Sequence, residues 1–208
     1  MSGLKPHEIE ARSMAIIDRL IPDSGWSAAE RTVVKRLVHT SGDPSLATAV
    51  RFSAGAAEAG AAALRDGAPV YTDTHMARIG VNEQRVLGYG GTVECLISDP
   101  GIAAESRRAG RTRAACAMRA FGARLDGAVV ALGNAPTALR EVLALADEGV
   151  ARPALVVGMP VGFVDAAESK AALIASDLTF VAIEGTRGGS PLAAAAVNAL
   201  LRVAEGEM

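Results

Sequence analysis

His39 is the residue of this sequence best suited to acid/base chemistry. It stands in the segment Arg36-Leu-Val-His39-Thr-Ser-Gly-Asp43, near the predicted end of a helix. An imidazole can donate and accept a proton near neutral pH, and Arg36, one turn earlier, can bind a carboxylate through two N–H groups. Thr40 and Ser41 add hydroxyl groups beside it. The same histidine could instead cap the last carbonyl groups of its helix, and the residues alone leave both interpretations open.

Three arginines mark a later helix, predicted over 112–125, which is otherwise rich in alanine. Arg111 and Arg113 stand at its start and Arg119 stands further along. Arginine is unexpected at a helix N-terminus, because the helix dipole favours negative charge there. A ligand carboxylate near this end would explain Arg111 and Arg113. A solvated charged surface is the alternative.

Other patterns argue against several classes of site. The glycines at 88–91 precede a predicted strand, whereas a dinucleotide-binding loop follows a strand and opens a helix. The segment 188–190 fits an anion-binding nest and a tight turn with a helix cap equally well. No Gly-x-Ser-x-Gly elbow occurs, and three dispersed histidines predict no metal site. We interpret Cys95 and Cys116 as buried thiols and His75 as structural.

The elements that must position these residues form a helical N-terminal third followed by an alternating region. Ser27 and Glu30 have the spacing of a capping box that starts a helix, and this helix should break near 42–44. Other helices are predicted over 7–21, 54–66, 136–148, 165–176 and 191–203, and strands over 69–72, 92–97, 128–132, 154–157 and 179–183. Uninterrupted apolar strands separated by helices predict an α/β fold. We expect one domain over 1–208, with a three-layer doubly wound sheet of about five mainly parallel strands and an N-terminal helical layer.

The carboxyl ends of the predicted strands suggest a binding rim. Ligands of open parallel sheets bind beyond these ends, and helix N-termini that follow them favour anions. The segments there are 73–74, 98–99, 133–134, 158–162 and 185–190, and most of them contain glycine or asparagine. We therefore expect a large, anionic, hydrogen-bonding ligand, with Asn134 and Arg187 among its contacts.

Composition limits the partners and the location. The net charge of -2 and the pI near 5.9 give no support for nucleic-acid binding. No apolar run approaches the roughly 20 residues that span a membrane, and the N-terminus has no signal-peptide pattern. The sequence predicts a soluble, cytoplasmic protein without a membrane or nucleic-acid partner.

Several segments together resemble the precorrin-8X methylmutase family. They lie at 11–17, 36–39, 133–139, 158–164, 167–170, 187–190 and 195–200. The resemblance implies a cofactor-independent isomerase of corrin biosynthesis, which moves a methyl group from C11 to C12 of precorrin-8X to give hydrogenobyrinic acid. The shift would be an acid-assisted [1,5]-sigmatropic rearrangement.

The resemblance also implies roles for individual residues. His39 matches the family's histidine, which protonates a ring nitrogen and then recovers the proton. Ser13, Arg36 and Arg113 match substrate-contacting residues, and Arg187 is a further candidate for binding the acidic side chains. The segment 40–43 departs from the family pattern, which weakens Thr40 and Ser41 as contacts. The family forms homodimers, with the site at the subunit interface.

Three alternatives remain open from the sequence. Cobalt-precorrin-8, the substrate of the anaerobic branch, could replace precorrin-8X. A non-catalytic tetrapyrrole-binding protein could use the same rim. A nucleotide- or S-adenosylmethionine-dependent transferase rests on fold class alone, and the missing nucleotide fingerprint disfavours it.

Overall fold

The computed structural model describes residues 5–207 and begins with two helices, α1 (Pro6–Leu20) and α2 (Ala28–Ser41). The predicted capping box of α2 is confirmed: Glu30 N donates to Ser27 Oγ at 3.1 Å, and Ser27 N donates to the Glu30 carboxylate at 2.9 Å. Gly42 ends α2 in the left-handed region, with φ of +67°. His39 is thereby placed in the last turn of α2.

Within the described residues, one sheet of six strands forms the centre of the fold. The strands are β1 (Val50–Phe52), β2 (Val70–Thr72), β3 (Val93–Glu94), β4 (Val129–Leu132), β5 (Leu155–Gly158) and β6 (Phe180–Ile183), in the order β1-β6-β5-β4-β2-β3. All neighbouring pairs are parallel except β1 and β6. The predicted mainly parallel α/β sheet is confirmed, with one strand more than expected.

The two edge strands differ from the prediction. β1 was not predicted, because three residues after a short 3-10 helix (Pro44–Ala49) carry no readable pattern. It forms by antiparallel pairing with β6, where Val50 lies opposite Ile183. β3 is shorter than the predicted 92–97, because the chain turns after Glu94 and Asp99 caps the next helix through Gly101 N at 2.7 Å.

Helices cover both faces of the sheet, as a doubly wound fold requires. They are α3 (Ala56–Arg65), α4 (His75–Gly80), α5 (Glu83–Gly88), α6 (Pro100–Ala109), α7 (Arg113–Phe121), α8 (Pro136–Asp147), α9 (Ala166–Ala175) and α10 (Ser190–Ala204). Alternate residues of β4 enter the two cores: Val129 and Ala131 pack with α2, α3 and α10, whereas Val130 and Leu132 pack with α7 and α8. Helices α4, α5 and α6 were not predicted. No helix in the described range is long and apolar enough to span a membrane.

Small residues allow the helices to lie close to the sheet. A Cβ atom at Gly60 would come within 2.5 Å of Leu155 Cδ2, and one at Gly158 would come within 2.3 Å of Leu173 Cδ2. Helix α10 is buried along most of its length by alanine, valine and leucine. The low aromatic content is therefore compatible with a dense core, because close approach replaces large side chains.

The strand order creates a switch point beside β2. After β2 the chain forms β3 on one side and then crosses to form β4 on the other. In open α/β sheets, such a point leaves a crevice at the carboxyl ends of the two strands concerned. Asp73 and the segment 133–135 lie at this crevice.

Candidate active site

His39 is exposed and lies between two clefts of different character. One is polar and the other is mainly apolar, and the imidazole lines both. Within residues 5–207 no side chain hydrogen-bonds the ring. Because the ring makes no hydrogen bond in this range, it does not cap the carbonyl groups at the end of its helix, where Gly42 N donates to Val38 O at 2.9 Å.

The polar cleft has a volume of about 240 Å³ and lies among α2, α5 and α10. Its lining residues are Arg36, His39 and Thr40 from α2, Asn82 and Arg85 at the start of α5, and Ala195, Asn198 and Arg202 from α10. Asn198 ties the walls together, since it accepts from Asn82 N at 2.7 Å and donates to Gly80 O at 2.8 Å. Guanidinium and amide groups thus surround one side of the imidazole.

Protein carboxylates pair with each arginine of this cleft. Glu10 of α1 pairs with Arg36 and accepts from Arg202 at 3.2 Å, and Arg85 lies 2.9 Å from Glu205. The hydrogen bond from Arg36 lowers the pKa of Glu10. The charges of Arg202 and His39 act in the same direction. The cleft therefore already holds carboxylates in the positions where an acidic ligand would compete for arginine.

The apolar cleft, of about 250 Å³, lies on the other side of His39, between α1 and the end of α2. Its lining residues are Ser13, Ile16, Ile17 and Leu20 from α1, Val38 and His39 from α2, and Gly42 and Pro44 beyond it. Ser13 is its main polar side chain apart from His39. A flat apolar ligand could contact this wall while acidic groups at its edge reach the polar cleft.

The predicted residues near His39 separate into two groups. Ser13, Arg36 and Thr40 line the clefts beside the imidazole. Ser41 does not line either cleft: its hydroxyl donates to Val38 O at 3.2 Å and accepts from Asp43 N at 3.2 Å. The hydroxyl of Ser41 therefore serves the end of the helix.

Arg187 lies in the loop after β6 and contacts the segment that follows α2. One of its terminal nitrogens donates to Asp43 Oδ2 at 2.8 Å and to Ser45 Oγ at 3.1 Å. Hydrogen bonds from Ser45, followed by the charge of Arg187, lower the pKa of Asp43. The loop after β6 is thus joined to the segment that follows His39.

The crevice beside β2 is built around a buried carboxylate. Asp73 accepts hydrogen bonds from the backbone nitrogens of Gly133, Asn134 and Ala135 at 3.1, 2.7 and 2.8 Å. Burial raises the pKa of Asp73, and the three N–H bonds oppose this. Asn134 presents its side chain at the surface, but its backbone N–H is already occupied by Asp73. Residues 188 and 189 lead directly into α10, which begins at Ser190 with Gly189 as its N-cap.

The arginines at α7 have different surroundings. Arg111 and Arg119 both pair with Glu141, a buried carboxylate of α8. The carboxylate expected beside Arg111 is therefore supplied by the protein, whereas Arg113 is exposed at the first turn of α7. Arg113 and Asn134 do not line the clefts around His39. No group of three or more His, Cys, Asp or Glu in the described range could hold a metal ion.

Four residues of the polar cleft were missed from the sequence: Asn82, Arg85, Asn198 and Arg202. Arg85 lies in a six-residue helix that carried no clear pattern, and Asn82 is the N-cap of this helix. Asn198 and Arg202 lie on a helix that was predicted, and two polar residues spaced four apart within an otherwise apolar segment were a usable signal.

A family model for precorrin-8X methylmutase matches residues 8–203. This chain belongs to the precorrin-8X methylmutase family. The matched range includes both clefts, the switch point and Arg187. Members of the family are isomerases, so the interpretation from sequence resemblance is confirmed at this level.

Individual relatives span most of both chains. The chain is 38% identical to a cobalt-precorrin-8 methylmutase of Priestia megaterium over 97% of its own length and 90% of that protein. It is 44% identical to a precorrin-8X methylmutase of Pseudomonas aeruginosa over 85% and 86%. A solved precorrin-8X methylmutase from Thermus thermophilus superposes with a TM-score of 0.88 at 38% identity, covering 96% and 99% of the two chains. Sequence identity to this chain is thus comparable for methylmutases named for precorrin-8X and for those named for cobalt-precorrin-8.

Proposed function

We propose that this protein is an isomerase of cobalamin biosynthesis that moves a methyl group from C11 to C12 of precorrin-8X, giving hydrogenobyrinic acid. The observation that carries the proposal is the position of His39, exposed between a polar and an apolar cleft in a chain of the methylmutase family. The methyl group stays within one molecule, so the reaction needs no external methyl donor or electron carrier. We propose one catalytic domain over the whole chain.

His39 is proposed to lend a proton to a ring nitrogen and to recover it after the shift. Its exposed position in the last turn of α2, between the two clefts, supports this role, because a ligand in either cleft can reach the ring. One positioned general acid contributes about 100- to 10,000-fold to a rate. The remaining acceleration must come from holding the macrocycle in its reactive conformation.

The two clefts are proposed to divide the recognition of the macrocycle. Its ring would contact the wall formed by α1, with Ser13 as a hydrogen-bonding group. Its acetate and propionate groups would bind the arginines of the polar cleft, with Arg36 nearest to His39 and Thr40 beside it. Arg187 lies next to this region, whereas Ser41, Arg113 and Asn134 would contact only the outer part of a large ligand.

We also propose a cytoplasmic homodimer with the site near the subunit interface. Exposed apolar side chains support this: Ile16 and Leu20 on the α1 wall are 49% and 56% exposed, and Phe163 and Val164 after β5 are 94% and 86% exposed. Large exposed apolar surfaces of this kind often mark contacts with another protein, because covering them lowers the free energy. Light scattering during size-exclusion chromatography should give twice the mass of one chain, and a monomer would refute the dimer.

The deciding experiment mixes the purified protein with precorrin-8X alone and follows the absorption spectrum. Conversion by the wild type and its loss in His39→Ala, with pigment still bound, would support the proposal. A bound but unchanged spectrum with the wild type would instead indicate a tetrapyrrole carrier. Cobalt-precorrin-8 should be tested in parallel, because relatives named for this substrate are similarly close.

A further inference from the structure

Lys170 is a buried cation that the proposed reaction does not use. It lies in α9, is fully inaccessible to solvent, and donates from Nζ to the backbone carbonyl of Arg187 at 2.6 Å. Burial lowers the pKa of Lys170 to about 8. An ammonium group has three donors, and among the described residues the carbonyl of Arg187 is the one acceptor that Lys170 contacts.

Burying a charge with so few partners costs free energy that an apolar residue of similar size would not cost. A methionine could fill the same volume in α9. The position of the ammonium group therefore suggests a role in what it contacts, and that contact is the loop between β6 and α10.

This loop is held on both sides of Arg187. Gly162 N donates to Thr186 O at 3.1 Å, and Gly189 N donates to Met159 O at 2.9 Å. A Cβ atom at Gly188 would come within 2.2 Å of Met159 O, so the two loops lie in direct contact. Between these two attachments, Lys170 fixes the carbonyl of Arg187 itself.

The fixed backbone determines where the side chain of Arg187 can reach. From this position its guanidinium spans to Asp43 and Ser45, just beyond the end of α2. Rotation of the peptide unit after Arg187 would withdraw the guanidinium from this edge of the His39 region. A surface ion pair is too weak to hold such a loop by itself, whereas a buried charged hydrogen bond is stronger.

We propose that Lys170 is a positioning residue that sets the backbone of Arg187, so that its guanidinium is presented beside the end of α2 to an acidic side chain of the macrocycle. The proposal rests on the proposed function for the identity of the ligand. It does not require Lys170 to touch the ligand or to exchange a proton with it.

The first test measures the loop directly, without any ligand. In Lys170→Met, amide hydrogen exchange of residues 186–189 should become at least about tenfold faster, as expected from losing a hydrogen bond to a charged group. Ser169→Ala is the matched control, since Ser169 is also buried in α9 but donates within its own helix to Ala166 O at 3.2 Å. Unchanged exchange in Lys170→Met would overturn the proposal. If this variant does not fold, Lys170→Leu, which also lacks a donor, provides the same comparison.

The second test is a double-mutant cycle on the affinity for hydrogenobyrinic acid, followed by absorbance. Lys170→Met and Arg187→Ala should each weaken binding about tenfold, and the double variant should be no weaker than Arg187→Ala alone. At saturating precorrin-8X, Lys170→Met should retain kcat within about twofold, because His39 is untouched. Additive losses, or a loss confined to kcat, would show that Lys170 acts only on the fold and would overturn the proposal.

Failure of the proposed function gives a different result. In that case the wild type itself would not convert precorrin-8X, while the exchange experiment would still decide whether Lys170 holds the loop. Conversion by the wild type together with unchanged affinity in Lys170→Met would refute the positioning role alone.

Discussion

His39 and Asp73 are both titratable residues near the predicted binding rim, but their surroundings are opposite. Asp73 is fully buried, and its carboxylate accepts three backbone N–H groups at the switch point of the sheet. His39 is exposed, and its ring stands between two clefts without a hydrogen bond from the described residues. Backbone N–H groups thus satisfy the carboxyl group of Asp73, whereas the imidazole of His39 is accessible to a ligand.

The difference supports the proposal that His39, rather than Asp73, has the chemical role. A buried carboxyl group that accepts three backbone N–H groups organises the chain around it, here the loop that contains Asn134. The imidazole of His39, which lies exposed between the polar and the apolar cleft, holds no other part of the described chain in place. We therefore expect substitution of His39 to lower the reaction rate and substitution of Asp73 to lower the stability of the fold.

The largest expected effect is on the rate of His39→Ala. We expect kcat for precorrin-8X to fall by about 100- to 10,000-fold, because a general acid is lost. The melting temperature should stay nearly constant, because the side chain is exposed. Stopped-flow absorbance and thermal unfolding measure the two quantities. An unchanged kcat in this variant would refute the acid/base role of His39, and the functional difference from Asp73 would then be wrong.

The next effect is on the stability of Asp73→Ala. One buried and two partly buried N–H groups would lose their acceptor. We expect the free energy of unfolding to fall by about 3 kcal/mol, since each unsatisfied buried donor costs roughly 1–3 kcal/mol and lost burial of the carboxylate offsets part of this. The melting temperature should fall by about 10 °C. The folded fraction should retain its kcat. An unchanged melting temperature would contradict the structural role of this carboxylate.

Lys170 sharpens the comparison, because it is a buried charge with an incomplete set of partners. Its pKa is lowered to about 8 in the folded protein, from 10.5. Between these values the unfolded chain binds more protons, so raising the pH stabilises the fold. Relative to Lys170→Met, the wild type should gain at most about 3 kcal/mol over this window. Urea unfolding at several pH values measures the free energy of unfolding of both proteins. If the two free energies changed with pH in parallel, the lowered pKa of Lys170 would be contradicted.

The smallest expected effect concerns Arg36 and its partner Glu10. Arg36→Ala should weaken binding of hydrogenobyrinic acid about tenfold, through loss of a charged hydrogen bond. Glu10→Gln should strengthen binding by about threefold, since it removes the protein carboxylate that competes for Arg36 and Arg202, and exposed charges interact weakly. Absorbance titration checks both changes. Equal weakening by the two variants would indicate that the Arg36–Glu10 pair only supports the fold.

Sequence patterns predicted those elements whose bounds depend on residues close together in the chain. The start of α2 follows from the reciprocal bonds of Ser27 and Glu30, and its end follows from Gly42, so the position of His39 on a helix end was readable. The four internal parallel strands were also readable, because each is apolar on both faces. In contrast, β1 exists only because β6 lies opposite it, and its three residues carry no independent signal.

The candidate site was predictable only in part for the same reason. Arg36 lies on the same helix as His39, so sequence spacing relates the two. Arg202 reaches the cleft only because α10 packs against α2. Arg85 reaches it from α5, whose N-cap Asn82 is held by Asn198 of α10. Likewise, the pairing of Arg111 with Glu141 depends on the contact between α7 and α8, which no spacing along the chain reveals.

The lengths of the two edge strands have a consequence for self-association. β1 and β3 are three and two residues long, so each border of the sheet offers few unpaired backbone groups to another chain. Short edges of this kind prevent neighbouring molecules from joining into a continuous sheet and protect against fibrous aggregation. Two copies of this protein should therefore meet through side chains of helices and loops, which keeps each sheet separate and leaves the geometry at the strand ends unchanged by assembly.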